Sequence, residues 1–333
     1  MLEARHPVAI FANGLGDHLL ALPAVRALAE LFRGRLALVA MPGRRDLFFH
    51  DIPLRAVCET SVSRDSRGAK KFDARNAARC IGQADLVLSL NPWHSSSMEE
   101  LLEFWAAPNS VGFHSSFKER VEIDFKKHSA DLVFDVPRRV HPGLRIEEFA
   151  KPHRSDPVSR SCAQRIRESL PPHMRVLAVH ADTGLWTTMG SRALDAQVPT
   201  EQILGNKMWP VEKFVALLDA FLSRHENYVV LVLGGTDLHL DRGRFGDRVI
   251  PCCHLPIAVS LALVGLCDVF LGVDSCMLHA ADLYRVPGVG LFGPTDPVEF
   301  GYRFGPGVHV RGGPFMEDIS EDAVLEALES VLP

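Results

Sequence analysis

The 333-residue chain lacks the features that would place it in a membrane or build it around a metal. Its longest apolar stretch, 255–267, is interrupted by Pro256 and Ser260, and it falls short of the roughly 20 residues a bilayer span needs. Gly14, Gly16 and Asp17 break up the first apolar stretch, so no secretory leader is expected. Among seven cysteines there is no C-x-x-C pair, and neither zinc-ribbon spacing nor an H-E-x-x-H helix occurs. An odd number of scattered thiols in a long chain implies reduced cysteines and a cytoplasmic location. Neither sign of charge is in excess. The 36 Lys plus Arg and 41 Asp plus Glu leave a formal charge of −5, without the basic footprint of general nucleic-acid binding. No internal repeat and no low-complexity segment occurs.

What the chain does have is alternation. At 47% hydrophobic and 23% charged it has the composition of a folded protein, and its length predicts about two domains. Short β-branched runs at 8–11, 36–40 and 86–90 predict strands, with helices over 17–32, 72–82 and 99–106. A second series follows Arg175, with strands at 176–179, 228–233, 269–272 and 288–292 and helices over 211–224, 256–266 and 277–284. Such alternation predicts an α/β fold of parallel sheets covered on both faces. The expected organisation is a first Rossmann-like domain over 1–155, a linker over 156–174 and a second Rossmann-like domain over 175–318. Pro152, Pro157, Pro171 and Pro172 punctuate the linker region, which carries one short helix. A terminal helix within 319–333, with Ser320 as N-cap, is expected to pack back on the first domain. Ligands of parallel sheets bind beyond the carboxyl ends of the strands, so two such domains are expected to face each other across a cleft.

Residues just after strands are therefore the candidates. Asn13-Gly14-Leu15-Gly16-Asp17 follows the first strand and opens a helix, leaving backbone amides that suit an anion. Leu19 stands where a dinucleotide fingerprint has its third glycine, which argues against a nicotinamide cofactor. Asp17, in the first helical turn, can take a proton from a hydroxyl nucleophile, or it can serve as a capping carboxylate. His180-Ala181-Asp182-Thr183-Gly184 ends another strand, and Lys207-Met208-Trp209-Pro210 precedes a helix. Lys207 is suited to a pyrophosphate, although a lone lysine there is also an ordinary solvated group. The densest cluster is Gly272-Val273-Asp274-Ser275-Cys276-Met277-Leu278-His279. There the helix amides and Ser275 form an anion site, Asp274 can accept from sugar hydroxyls, and His279 lies one turn along. Asp274 as an N-cap and His279 as a core histidine is the competing reading. Cys276 reads as a small buried hydrophobe rather than a nucleophile. Arg64, Arg67, Lys70, Lys71, Arg75 and Arg79 against Asp65 and Asp73 give a local +4 that suits a phosphorylated acceptor or a solvated face. The remaining histidines and tryptophans form no readable constellation.

Together these segments resemble the heptosyltransferases of glycosyltransferase family 9, which have a GT-B fold. The first matching stretch is Gly14-Leu15-Gly16-Asp17-His18-Leu19-Leu20-Ala21-Leu22-Pro23-Ala24, similar to the family's opening G-D-x-L-x-x-x-P element. The second is His180-Ala181-Asp182-Thr183 with the later Lys207-Met208-Trp209-Pro210. The third is Gly272-Val273-Asp274-Ser275 with His279, ending in Phe292-Gly293-Pro294-Thr295-Asp296-Pro297.

The resemblance implies inverting, metal-independent transfer of heptose or a related sugar from an ADP-sugar to an acceptor hydroxyl, with no cofactor beyond that donor. No D-x-D triplet occurs in the chain, in keeping with a metal-free mechanism. By the same likeness Asp17 is the general base, Lys207 and Thr183 hold the diphosphate, and Asp274 orients the donor sugar. Ser275, Cys276 and His279 complete that pocket, with Leu255 near the base and Asp237, after Gly234-Gly235, near the ribose. Arg64, Lys70 and Lys71 are expected at the acceptor, which is a glycan, a lipid-linked sugar, a protein or a small molecule. A lipid acceptor, as in lipopolysaccharide biosynthesis, implies a peripheral position at the inner face of the membrane. The chain departs from the family at Cys276, where glycine is usual, and in the insertion at 185–206. Two other functions fit the same segments: a GT-B-like sugar-nucleotide epimerase, and a nucleotide-sugar-binding protein without catalysis.

Overall fold

The computed structural model describes residues 4–64, 70–182, 207–235 and 242–333. The chain divides into two compact units, with the boundary between Lys151 and Pro152.

The first unit opens with β1 (Pro7–Phe11), whose five residues are all buried, and α1 (Leu15–Leu31). Next come β2 (Ala37–Ala40), β3 (Ala56–Glu59), β4 (Val62–Arg64) and β5 (Lys70–Phe72). Then follow α2 (Ala74–Ile81), β6 (Leu86–Ser89), α3 (Ser96–Trp105), β7 (Asn109–Gly112) and β8 (Glu119–Arg120). Helices α4 (Ser129–Val140) and α5 (Ile146–Phe149) close the unit. Six strands pair in parallel in the order β3-β2-β1-β6-β7-β8, while β4 and β5 form a separate antiparallel pair. A strand covered by helices on both faces reads as a continuous apolar run, as Val8-Ala9-Ile10-Phe11 does. Helix α1 is largely apolar, with most of its residues buried, and it packs against α4 and α5. Its end turns through two left-handed residues, Arg33 at φ 49° and Gly34 at φ 74°.

The second unit begins with α6 (Pro157–Glu168), whose N-cap Asp156 accepts from the amides of Val158 and Ser159. It continues with β9 (Arg175–His180), α7 (Val211–Arg224), β10 (Tyr228–Gly234), α8 (Arg242–Phe245) and β11 (Val249–Cys253). The remainder is α9 (Ile257–Val264), β12 (Val269–Val273), α10 (Cys276–Tyr284), β13 (Gly288–Phe292), α11 (Pro297–Phe300), β14 (Gly307–Arg311) and α12 (Glu321–Ser330). Its sheet is again parallel, in the order β11-β10-β9-β12-β13-β14.

Both sheets thus have the doubly wound order in which the strand order reverses between the first and fourth parallel strands. The crevice at that reversal, β1/β6 in one unit and β9/β12 in the other, is where such sheets take ligands.

Two expectations about organisation change. The stretch expected as a linker carries α6, which packs on α9 and so belongs to the second unit. The terminal helix belongs to the second unit's core: α12 packs on α7, β13 and β14, with Val324, Leu325 and Leu328 buried there. Among the described residues no helix is long and apolar enough to cross a membrane.

Candidate active site

In the first unit the chain leaves β1 at Phe11. The Ala12 amide donates to Asn91 Oδ1 at 3.2 Å, tying the loop after β1 to the loop after β6. Gly14 is extended and opens α1. Asp17 folds back so that the Gly14 amide donates to its Oδ2 at 3.1 Å, which fixes the carboxylate at the helix start. The capping role weighed for Asp17 is therefore real, and it orients the same carboxylate that a proton-accepting role needs.

His18, next in sequence, is wholly buried, edge-on to Phe11 at 4.9 Å and stacked on Phe48 at 5.7 Å. Burial pushes its pKa down to about 3. The neutral ring therefore carries its proton on Nδ1 and donates to the Gly14 carbonyl at 2.6 Å.

Lys70 comes to the same loop from β5, where Lys70 and Phe72 point inward and Lys71 outward. It is only 3% exposed, yet its ammonium donates to Asn13 Oδ1 at 2.6 Å and lies over the Trp93 ring at 5.0 Å. Burial lowers its pKa to about 8, with Asp17 opposing the shift and Arg64 adding to it. Lys70 is thus a positive charge built into the wall beside Asp17's loop rather than a solvated acceptor contact. Arg64 and Lys71 are exposed on the β4–β5 pair.

In the second unit the Lys-Met-Trp-Pro element is anchored by Trp209. Its ring is buried against Phe214 and its Nε1 donates to the Ile319 carbonyl at 3.1 Å. That anchor delivers Lys207 to Asp274, Nζ to Oδ2 at 2.8 Å. His279 Nε2 lies 3.8 Å from the other oxygen, Oδ1. Burial pulls the Asp274 pKa up, but Lys207, His279 and Thr295 outweigh it and hold the carboxyl below its ordinary value.

Ser275 is the N-cap of α10, but its side chain does not cap the helix. Its Oγ lies instead 3.0 Å from His180 Nδ1, at the end of β9. The N-cap side chain therefore gives the first turn of α10 no acceptor, and that turn follows directly on the Asp274 that holds the Lys207 ammonium. Helix amides and a cation together suit the phosphates of a nucleotide. Cys276 is buried in that first turn.

The structure thus brings together Lys207, Asp274, Ser275, Cys276 and His279, and places Asp17 in the first unit. Leu255 stands apart: it is half-buried after the edge strand β11, with β10 and β9 between that strand and β12. Thr183, Asp237 and the 185–206 insertion lie outside the described residues. Unread in the sequence were His18, Asn91, Trp93 and the contact between His180 and Asp182, two residues read only as part of the turn that follows the strand.

The model described as Glycosyltransferase family 9 (heptosyltransferase) matches residues 191–311. Over that stretch the chain is similar to the family 9 glycosyltransferases. Its likeness to a Veillonella parvula glycosyl transferase family 9 structure has a TM-score of 0.75 at 19% identity, covering 98% of this chain and 97% of that one. E. coli ADP-heptose lps heptosyltransferase II follows at TM-score 0.67 and 14% identity, covering 98% of each chain. The E. coli heptosyltransferase WaaC with ADP gives 0.63 and 13%, covering 98% and 97%. At these identities the structural likenesses establish the fold, two parallel-sheet units as in GT-B glycosyltransferases. No curated protein sequence matches the chain.

Proposed function

We propose that this family 9-type glycosyltransferase moves heptose or a related sugar from an ADP-sugar to an acceptor hydroxyl with inversion. The second unit takes the donor and the first unit takes the acceptor. The observation that carries the reading is the start of α10, whose N-cap serine does not cap it and whose preceding residue, the buried Asp274, holds Lys207 in place. A diphosphate leaving group develops negative charge as its bond to the sugar breaks, and preorganised amides with a fixed ammonium stabilise that charge. The choice of ADP rests on the structures of E. coli heptosyltransferase WaaC with ADP and with ADP-2-deoxy-2-fluoro heptose.

In the proposed step the acceptor O–H gives its proton to the Asp17 carboxylate while its oxygen attacks the anomeric carbon. The bond from that carbon to the diphosphate oxygen breaks, and its electron pair leaves with ADP. One displacement inverts the anomeric centre. Lys207 and the α10 amides receive the departing charge, the work a divalent ion performs in other transferases. Asp274 fixes Lys207, and Arg64 and Lys71 present charge to a phosphorylated acceptor such as a lipid-linked glycan. Such an acceptor places the enzyme in the cytoplasm at the inner membrane face.

Asp17→Asn tests the base. The expected result is a kcat lower by about 10²–10⁴-fold, with ADP affinity measured by calorimetry unchanged. Retained turnover in that variant removes Asp17 from the chemistry. Binding of a uridine or guanosine sugar in preference to ADP-heptose overturns the donor assignment.

A further inference from the structure

We infer that His180 and Asp182 fix the direction of the Ser275 hydroxyl, making it a hydrogen-bond acceptor for a sugar hydroxyl and leaving the diphosphate to the α10 amides and Lys207. The inference rests on the donor-site reading above and goes beyond it by assigning Ser275 to the sugar rather than to the phosphates.

Three strand ends meet at these residues. His180 closes β9, in register with Leu233 of β10 and Gly272 of β12. Asp182, two residues on, accepts the Gly235 amide at its Oδ2, 2.9 Å away. Its Oδ1 lies 3.6 Å from His180 Nε2, too long for a good hydrogen bond but close enough to decide where a proton sits. Both side chains are buried, as is Ser275. Gly234 makes room for the pair: a Cβ there would stand 2.7 Å from Asp182 Oδ2 and 3.2 Å from His180 Cδ2. Its φ of 109° is itself a backbone state that side chains rarely adopt.

The proton count then follows. Burial lowers the His180 pKa, so the ring carries a single proton at neutral pH. A bare lone pair on Nε2 facing a carboxylate inside the protein is repulsive, so that nitrogen holds the proton. Nδ1 is left as an acceptor, and the group 3.0 Å from it is the Ser275 hydroxyl. Ser275 therefore spends its only proton on His180 and shows lone pairs to anything bound at the start of α10. Lone pairs repel a phosphate oxygen and receive an O–H. This also explains why an N-cap serine fails to cap its helix. Its oxygen is drawn to the imidazole and so does not compete with an anion for the first-turn amides.

The test has two arms on the full-length protein. In the first, nitrogen-15 NMR of the ligand-free protein reads the His180 tautomer. The expected spectrum has the proton on Nε2, and Asp182→Asn shifts it towards Nδ1. A wild-type ring protonated on Nδ1 overturns the inference, because Ser275 would then be free to donate. In the second arm, Ser275→Ala is titrated with inorganic pyrophosphate, ADP and ADP-heptose. Affinity for ADP-heptose is expected to fall about tenfold, with pyrophosphate unaffected. An equal fall in ADP assigns the ribose as the source of the hydroxyl, and no fall in ADP assigns the transferred sugar. Loss of pyrophosphate binding overturns the inference. Failure of all three ligands to bind the wild-type protein overturns the donor-site reading, and with it the ligand half of this inference, while the spectrum still decides the tautomer half.

Discussion

The two units share one topology and place their candidate groups at the same topological reversal, yet they treat charge in opposite ways. In the first unit a lysine is buried to 3% exposure, and its recorded hydrogen-bond partner is a neutral amide, Asn13. In the second, Lys207 is partly exposed and bonds directly to a buried carboxylate. The histidines differ likewise: His18 is sealed among aromatic rings, whereas His279 faces Asp274. The comparison teaches that a parallel sheet fixes where a site forms but not its electrostatics. Burial without a tight counter-ion leaves a strained cation in one crevice, and close pairing leaves a stable anion in the other.

That contrast can be broken by titration. The largest expected effect comes from His18, whose folded pKa of about 3 lies below its unfolded value of 6.5. The unfolded chain takes up a proton first as pH falls, so stability declines between about pH 6.5 and 3. The full drop is about 4–5 kcal/mol. Urea denaturation across that window should show it, and His18→Asn, which keeps a donor towards Gly14, should flatten the curve. An equal decline in both proteins would remove His18 from the account.

Lys70 gives the next effect, with the same sign in a higher pH window. Its folded pKa of about 8 lies below the unfolded 10.5, so the folded state sheds its proton first. Its penalty is therefore complete below about pH 8, and stability gains about 3 kcal/mol as pH rises from there to 10.5. Lys70→Met should lose that rise relative to wild type, and a rise that persists would mean the ammonium is relieved by other means. The smallest effect sharpens the other half of the comparison. Lys207→Met strands the buried Asp274 and should destabilise the protein by about 2 kcal/mol, less than a fully buried pair because Lys207 is partly exposed. Adding Asp274→Asn should recover most of it, and a double variant no better than the single would argue against pairing as the cause.

The sheets and their helices were largely legible because apolar runs and turn glycines carry their own signal. The helix predicted over 17–32 is α1 at Leu15–Leu31, and that predicted over 277–284 is α10 at Cys276–Tyr284. Strands β3, β4, β5, β7, β8, β11 and β14 went unread. Those seven are short, edge-lying or rich in polar residues, so periodicity has little to act on. Helix α4 was hidden by Pro137 within it and by its charged face. At the site, Asp17, Lys207 and Asp274 were readable as types of residue after strands, whereas the bond between Lys207 and Asp274 joins positions 67 apart that only the fold brings together. Lys70 was read within a basic run. The alternation of β5, buried-exposed-buried, separates it from Lys71, but three residues are too few to show a period in sequence.

The strand order also sets a schedule for synthesis. β1 is completely apolar and sits at the centre of its sheet, and its Pro7 pairs with Leu86 of β6. On a ribosome adding roughly 5–20 residues per second, the nascent chain carries that sticky strand with one flank open for several seconds before its second neighbour exists. Pauses in translation before β6 would lengthen that exposure, and this interval is when the growing chain has most need of a chaperone.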